Sequence, residues 1–338
     1  MRLPAFRPIL AIVAIPSLLL VVPACSSPSG QPTGATSSGS SGSSSGGTGG
    51  APFDAGATVT TYPTSIGPIT LQPGAEQTNC IVIRLGNKEG GFVRRFRADL
   101  SQGSHHMIAY QSLDTVESPT PKPCGPLAGI QMGEHPVFIA QQAHAELVFP
   151  TDDSGTPVGF QIEPNQMVKL ELHAINTTGA PLAITGTALL DTVPLSTKVT
   201  VSDLAFWGTK KIDIPANGSF DTGVKYQAAI PGTKSFAVTT HQHHLGTEMQ
   251  VWYGTGSTDT SHRVADGKDW SNPPLVMLEP VLDFPADGSK GLAYDCHWVN
   301  PTASPVSFGE GFNNEMCFLW HYYYPSQGFQ SCIDGKCG

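Results

Sequence analysis

Phe236-Ala237-Val238-Thr239-Thr240-His241-Gln242-His243-His244-Leu245-Gly246, followed by Met249-Gln250-Val251-Trp252-Tyr253, sets the reading of this chain. The runs on either side are rich in β-branched and aromatic residues, the composition of extended strands. On a strand, residues two apart share a face, so His241 and His243 project side by side with Ala237 and Thr239, while Phe236 and Val238 take the opposite face. Small neighbours leave room above the pair. Two imidazoles placed in this way make half of a transition-metal site. His244 points away from that face and is expected to be structural.

The same strand grammar extends in both directions. Cys80 to Leu85, Gly91 to Phe96 and Met107 to Tyr110 are short apolar runs bounded by Gly, Pro, Asn or Asp. Val168 to His173 alternates, with Val168, Leu170 and Leu172 on one face and Lys169, Glu171 and His173 on the other. Leu182 to Leu190 is another strand, and no long helical period is present. After a Pro-containing stretch, 191–196, the pattern restarts at Lys198 to Val201. It continues through Gly223 to Ile230, Lys234 to His241, Met249 to Tyr253, Gly291 to Val299 and Glu315 to Tyr324. The fold expected is all-β: two antiparallel β-sandwiches, 56–194 and 195–338.

What precedes the folded part reads as an export device. Arg2 and Arg7 form a basic n-region, and Ile9 to Val22 is a nearly unbroken apolar h-region. Val22-Pro23-Ala24-Cys25 resembles a bacterial lipobox, in which the cysteine is lipidated; an ordinary signal peptide with a coincidental Cys is the alternative. Residues 26–55 are largely Ser, Gly, Thr and Pro, the composition of a flexible tether. Signal 1–25 and tether 26–55 together imply a body exported and lipid-anchored at the bacterial cell envelope through Cys25. No later segment is apolar for long enough to span a bilayer. The net charge of −9, with Lys and Arg never clustered, gives no support to nucleic-acid binding. Of the 7 cysteines, Cys25 is set aside; the even remainder in an exported protein implies disulfides, with the pairing left open.

Three more places carry candidate chemistry. His105-His106 ends the polar turn 101–104 and opens the strand at Met107. Neighbouring strand residues point to opposite faces, so both rings reach one ion only if the backbone bends, which Gly103 permits; two surface histidines are the alternative. His173 shares a polar face with Glu171, and taken alone it reads as solvated. Met316 shares a face with Phe318 and Trp320, company in which Met is usually core filler; as a thioether ligand it would favour copper. His135, His144, His262, His297 and His321 have no matching partner and are expected to be satisfied or solvent-facing.

Taken together, His105-His106-Met107, the single His173, His241-Gln242-His243-His244-Leu245-Gly246 and Glu315-Met316-Cys317 resemble, in order and approximate spacing, the copper type II ascorbate-dependent monooxygenases. That family includes peptidylglycine α-hydroxylating monooxygenase and dopamine β-monooxygenase. The resemblance covers roughly Asn79 to Cys332, and the tail His321-Tyr322-Tyr323-Tyr324-Pro325 looks closest to the dopamine enzyme's. It implies two jelly-roll-like sandwiches facing across a cleft with one copper on each. His105, His106 and His173 would hold an electron-transfer copper. His241, His243 and Met316 would hold the oxygen-activating copper and form the catalytic site. Two copper ions, dioxygen and ascorbate or a similar one-electron reductant are the implied cofactors and co-substrates. The resemblance also implies a Cys296–Cys317 bridge beside Met316. Cys332 and Cys337 are expected to close a small terminal loop, and Cys80 and Cys124 would then pair by default.

One departure bears on substrate. The peptide enzyme carries a basic residue just before its His-x-His, where this chain has Thr239 and Thr240, which cannot make that charge-assisted contact. Phe318 and Trp320 make the wall apolar. A small apolar or aromatic substrate is therefore expected rather than a peptide carboxylate. Glu171, beside His173, would adjust the first copper's potential or simply be solvated. A copper-binding or copper-buffering lipoprotein without catalysis is the rival reading.

Overall fold

A computed structural model describes residues 58–338; the signal and tether expected over 1–25 and 26–55 lie outside the described residues. Strands dominate, and the one α-helix among the described residues is the four-residue Ala128–Gln131. Four large sheets form two sandwiches. In the first, one sheet runs Thr60–Leu71, Leu182–Pro194, Gly91–Leu100, Val158–Ile162, Thr200–Val201, with His144–Val148 also paired to Gly91–Leu100. Its partner sheet runs Ser118–Pro123, Glu76–Arg84, Met167–Ile175, Ser104–Gln111, His135–Ala140.

In the second sandwich, one sheet runs Leu275–Phe284, Thr233–His241, Cys317–Tyr324, Asp203–Thr209, Gln330–Ile333, Lys336–Cys337. The other is ordered Gly218–Asp221, Gly291–Asn300, Gly246–Gly254, Arg263–Gly267, with Lys225–Ala228 added to Gly291–Asn300. Most pairings are antiparallel, so inward and outward side chains alternate as the strand runs require. Thr200–Val201 pairs parallel to Val158–Gly159, inside the first sandwich. The crossover into the second therefore lies just after Val201, not in the 191–196 stretch, because a short edge pairing captures those residues before the chain turns.

Three disulfides join Cys80 to Cys124, Cys296 to Cys317 and Cys332 to Cys337; the second is the one the resemblance implies, and the other two are as expected. Cys296–Cys317 links the two sheets of the second sandwich.

The seam between the sandwiches is apolar. Phe206, Phe236, Met316, Phe318, Trp320 and Tyr322 of the second sandwich are buried in one continuous cluster with Phe96, Phe138, Ile139 and Phe149 of the first. The rings of Phe149 and Phe236 lie 5.4 Å apart. Burial of each such aromatic contributes roughly 2–3 kcal/mol, enough in sum to hold the two halves closed. Polar contacts stitch its margin: Ile139 N donates to Tyr322 Oη at 3.1 Å, and His135 Nε2 meets Asp203 Oδ1 at 2.6 Å.

Candidate metal centre

The site begins with two neighbouring strands. In the pairing of Ser104–Gln111 with Met167–Ile175, His106 stands directly opposite His173. The register slips between Ser104 and His106, so His105 is the extra residue of a β-bulge. A bulge re-aims one side chain, which is how consecutive residues both face the same place. That is the bend the His105-His106 dipeptide requires.

From the other sandwich, Thr233–His241 ends at its histidine, and Gly246 N closes a turn on His243 O at 2.9 Å. His243 therefore sits on a turn rather than on the strand the alternation suggested. The rings of His241 and His243 are nevertheless 5.4 Å apart. Their meeting depends on Glu315, whose buried carboxylate accepts from His243 N at 3.0 Å, Leu245 N at 2.8 Å and Trp298 Nε1 at 2.8 Å. Burial pushes its carboxyl up to about 7 against those three donors.

All five histidines converge. The ring of His105 lies 5.1 Å from His106, 5.4 Å from His173, 5.1 Å from His241 and 5.5 Å from His243. The cleft expected between the sandwiches is closed here, so the two histidine sets are not held apart. The closed apolar seam brings both histidine sets to one place. One ring nitrogen each from His105, His106 and His241 lie within 4.8 Å of one another.

Hydrogen bonds fix which nitrogens are available. Gln141 Nε2 donates to Thr240 O at 2.8 Å and Thr239 Oγ1 at 3.0 Å, so its Oε1 is what meets His241 Nδ1 at 2.6 Å. An amide oxygen only accepts; His241 therefore carries its proton on Nδ1 and keeps its lone pair on Nε2. His243 Nδ1 donates to Asn314 O at 2.9 Å, leaving Nε2 buried without a partner. His173 Nε2 donates to the Glu76 carboxylate at 2.8 Å, leaving Nδ1 buried without a partner. Both ring nitrogens of His105 and of His106 are buried and unpartnered. Orphaned buried donors and acceptors are costly, and a lone pair aimed at a common point is what a metal ion would satisfy.

Electrostatics keeps His105, His106, His241 and His243 neutral. Burial, then mutual repulsion among the cluster, holds His105, His106 and His241 well below the ordinary imidazole range. Burial carries His243 down to about 4. Neutral imidazoles are ligands; imidazolium is not. The residues present therefore fit a soft or borderline ion such as copper, with imidazole nitrogens and a thioether rather than carboxylates offered to it.

Met316 lies just before the strand Cys317–Tyr324, is 3% exposed, and borders one crevice with His106, His241, Ile139, Phe206 and Trp320. The crevice is apolar and too narrow in this arrangement for a water molecule. Gly208 stands opposite Phe318 in the sheet, and a Cβ there would overlap the Phe318 ring. A separate hollow of about 240 Å³ bordered by Ser104, Thr177, Trp270 and Ser271 reaches His105.

Other expectations change. Lys169, Glu171 and His173 are not a solvated face; they are 5%, 0% and 1% exposed. Lys169 pairs with Glu134 at 2.7 Å. Glu171 accepts from Leu127 N at 2.6 Å, Ala128 N at 2.9 Å and Tyr110 Oη at 3.0 Å, so it anchors the segment covering that face rather than facing an ion. His244 is held by Phe312 O at 2.7 Å. His144 meets Asp99 at 2.6 Å, and His262 is exposed. His321 is the exception: it is buried against Trp207 with Nε2 unpartnered. Glu76, Gln141 and Glu315 escaped sequence reasoning as supporting residues, because each meets its histidine across about 70–100 positions of chain.

No curated protein matches the chain. Among solved structures, the major capsid protein P2 from bacteriophage PM2 is 9% identical, covering 80% of this chain and 100% of that one at a TM-score of 0.35. The Macrobrachium rosenbergii nodavirus structure is 9% identical, covering 86% and 97% at 0.18. Neither likeness carries an argument at those scores. The chain's second half is more informative: residues 216–336, which include His241, His243 and Met316, match the family model of the C-terminal domain of copper type II ascorbate-dependent monooxygenases.

Proposed function

We propose that the protein is a copper-dependent monooxygenase that hydroxylates a C–H bond of a small apolar or aromatic molecule. One oxygen atom of dioxygen enters the C–H bond and the other leaves as water. Two electrons come from ascorbate or an equivalent reductant, with two protons. The observation that carries this reading is the set of buried, unpartnered ring nitrogens on His105, His106, His173 and His243, with His106 and His241 bordering one crevice together with Met316. The family match over residues 216–336 supports it.

Bound copper supplies one-electron redox chemistry and an open position for dioxygen. The chain does the rest. His105, His106 and His173 would hold one ion and His241, His243 and Met316 the other. Glu76, Gln141 and the Asn314 carbonyl set the tautomers from behind. Ile139, Phe206, Phe318 and Trp320 exclude water from the reacting carbon and recognise it by apolar contact. No charged side chain borders that crevice, and Thr239 Oγ1 is already engaged by Gln141, so nothing there grips a carboxylate.

A carrier or buffer that only binds copper needs no such apolar wall, which favours the enzyme. Metal analysis coupled to ascorbate-dependent oxygen uptake over a panel of aromatic and apolar compounds tests the reading. Two coppers per chain and substrate-dependent uptake are expected, and absence of copper above background overturns it. We further propose lipid anchoring through Cys25 at the bacterial cell envelope, checked by the intact mass of membrane-extracted protein.

A further inference from the structure

The convergence of both histidine sets has a consequence that two separate coppers do not cover. We infer that the chain can hold a single cuprous ion between its sandwiches, on His105 and His106 from one and His241 from the other. This third arrangement is distinct from either site proposed above, and it does not depend on the hydroxylation reading.

Three observations meet here. One ring nitrogen from each of the three residues lies within 4.8 Å of the other two, whereas neither His173 nor His243 joins that group. A three-coordinate ion with bonds of about 2.0–2.1 Å holds its donors roughly 3.5 Å apart, so modest ring rotations complete the set. All four ring nitrogens of His105 and His106 are buried without partners, so either atom of each is free to turn inward. Finally, His241 is pinned from the far sandwich. Gln141 holds its Nδ1–H and bonds the Thr239 hydroxyl and the Thr240 carbonyl, committing Nε2 as the ligand atom while tying the two halves together. Three neutral imidazoles in an apolar setting suit Cu(I), which accepts low coordination numbers and needs no anionic ligand.

The crevice beside Met316, too narrow for water in this arrangement, would be closed to substrate in the one-ion state. A second ion must then redistribute the ligands; where the hydroxylation reading also holds, activity should rise more steeply than linearly with copper loading.

The test titrates the metal-free full chain with cuprous ion under anaerobic conditions, in competition with a chromophoric Cu(I) chelator, with X-ray absorption at the first equivalent. Nitrogen-only coordination is expected. His106→Ala and His241→Ala should each weaken the first equivalent at least tenfold, while His173→Ala and Met316→Ile should leave it within threefold. A sulfur scatterer at the first equivalent would place the ion with Met316 and overturn the inference. An unchanged first equivalent in His241→Ala would place it wholly on the first sandwich and overturn it equally. Should either alanine variant fold poorly, hydrogen exchange on the wild-type chain decides. One equivalent should protect amides at both Ile139–Gln141 and Thr239–His241, and protection of one side alone refutes the shared site. Oxygen uptake at saturating copper is read separately, so its loss would sink the hydroxylation reading and leave this one standing.

Discussion

Gln141→Met keeps the length and volume of the side chain and removes three buried hydrogen bonds at the seam: to Thr240 O, to Thr239 Oγ1 and to His241 Nδ1. Each net bond contributes about 0.5–1.5 kcal/mol, and the partners left behind are buried, so a loss of about 3 kcal/mol is expected. In urea titrations at neutral pH the midpoint should fall with little change in slope. The variant also frees His241 to place its proton on either nitrogen, and loss of such an outer partner typically weakens metal binding about tenfold or more. Chelator competition for Cu(I) reads that effect independently of stability. A stability change under about 1 kcal/mol together with unaltered copper affinity would refute the tautomer assignment at His241, and with it the role given to Gln141.

Met316→Ile should abolish hydroxylation while copper on His105, His106 and His173 is retained, as read by metal analysis and oxygen uptake; turnover in that variant would remove Met316 from the catalytic site. Glu315→Gln places an amide NH₂ among three N–H donors, so it should cost about 2–3 kcal/mol and weaken binding at His243, measured by unfolding and copper competition. His321, held down to about 3 by burial, is neutral in the fold and protonates first in the unfolded chain. Its contribution is present above the ordinary value of 6.5 and is lost as pH falls below it. Relative to His321→Phe, the wild type should therefore lose about 2.5 kcal/mol between pH 7 and pH 4.5, and a difference that does not change with pH refutes this.

Strand composition placed the strands that carry the histidines and several others: Gly291 to Val299 extends only to Asn300, and Lys234 to His241 gains only Thr233, whereas Thr60–Leu71, Asp203–Thr209 and Leu275–Phe284 carry too weak an alternation to be singled out. The histidines were readable because metal ligands are rare residue types at short spacings. What surrounds them was not. Alternation along Val168–His173 marks a polar face but cannot tell solvent from a covering segment; here Leu127, Ala128 and Glu134 cover it and satisfy its charges. The boundary after Val201 was missed because a two-residue parallel pairing leaves no periodic trace. Closure of the seam was hidden for a related reason. Phe236 and Tyr322 join the first sandwich's core, and nothing in a strand pattern says which core an apolar face will join.

Cys296–Cys317 lies one residue from Met316 and staples one sheet of the second sandwich to the other. The thioether's position is thus set by a covalent bond that exists only after oxidation. If copper binds as proposed, its loading and disulfide formation become ordered events. A chain kept reduced would offer its histidines to copper before its sulfur was in place, filling the wrong coordination sphere first. Delivery of the metal after oxidative folding, rather than during synthesis, is the sequence of assembly that this arrangement favours.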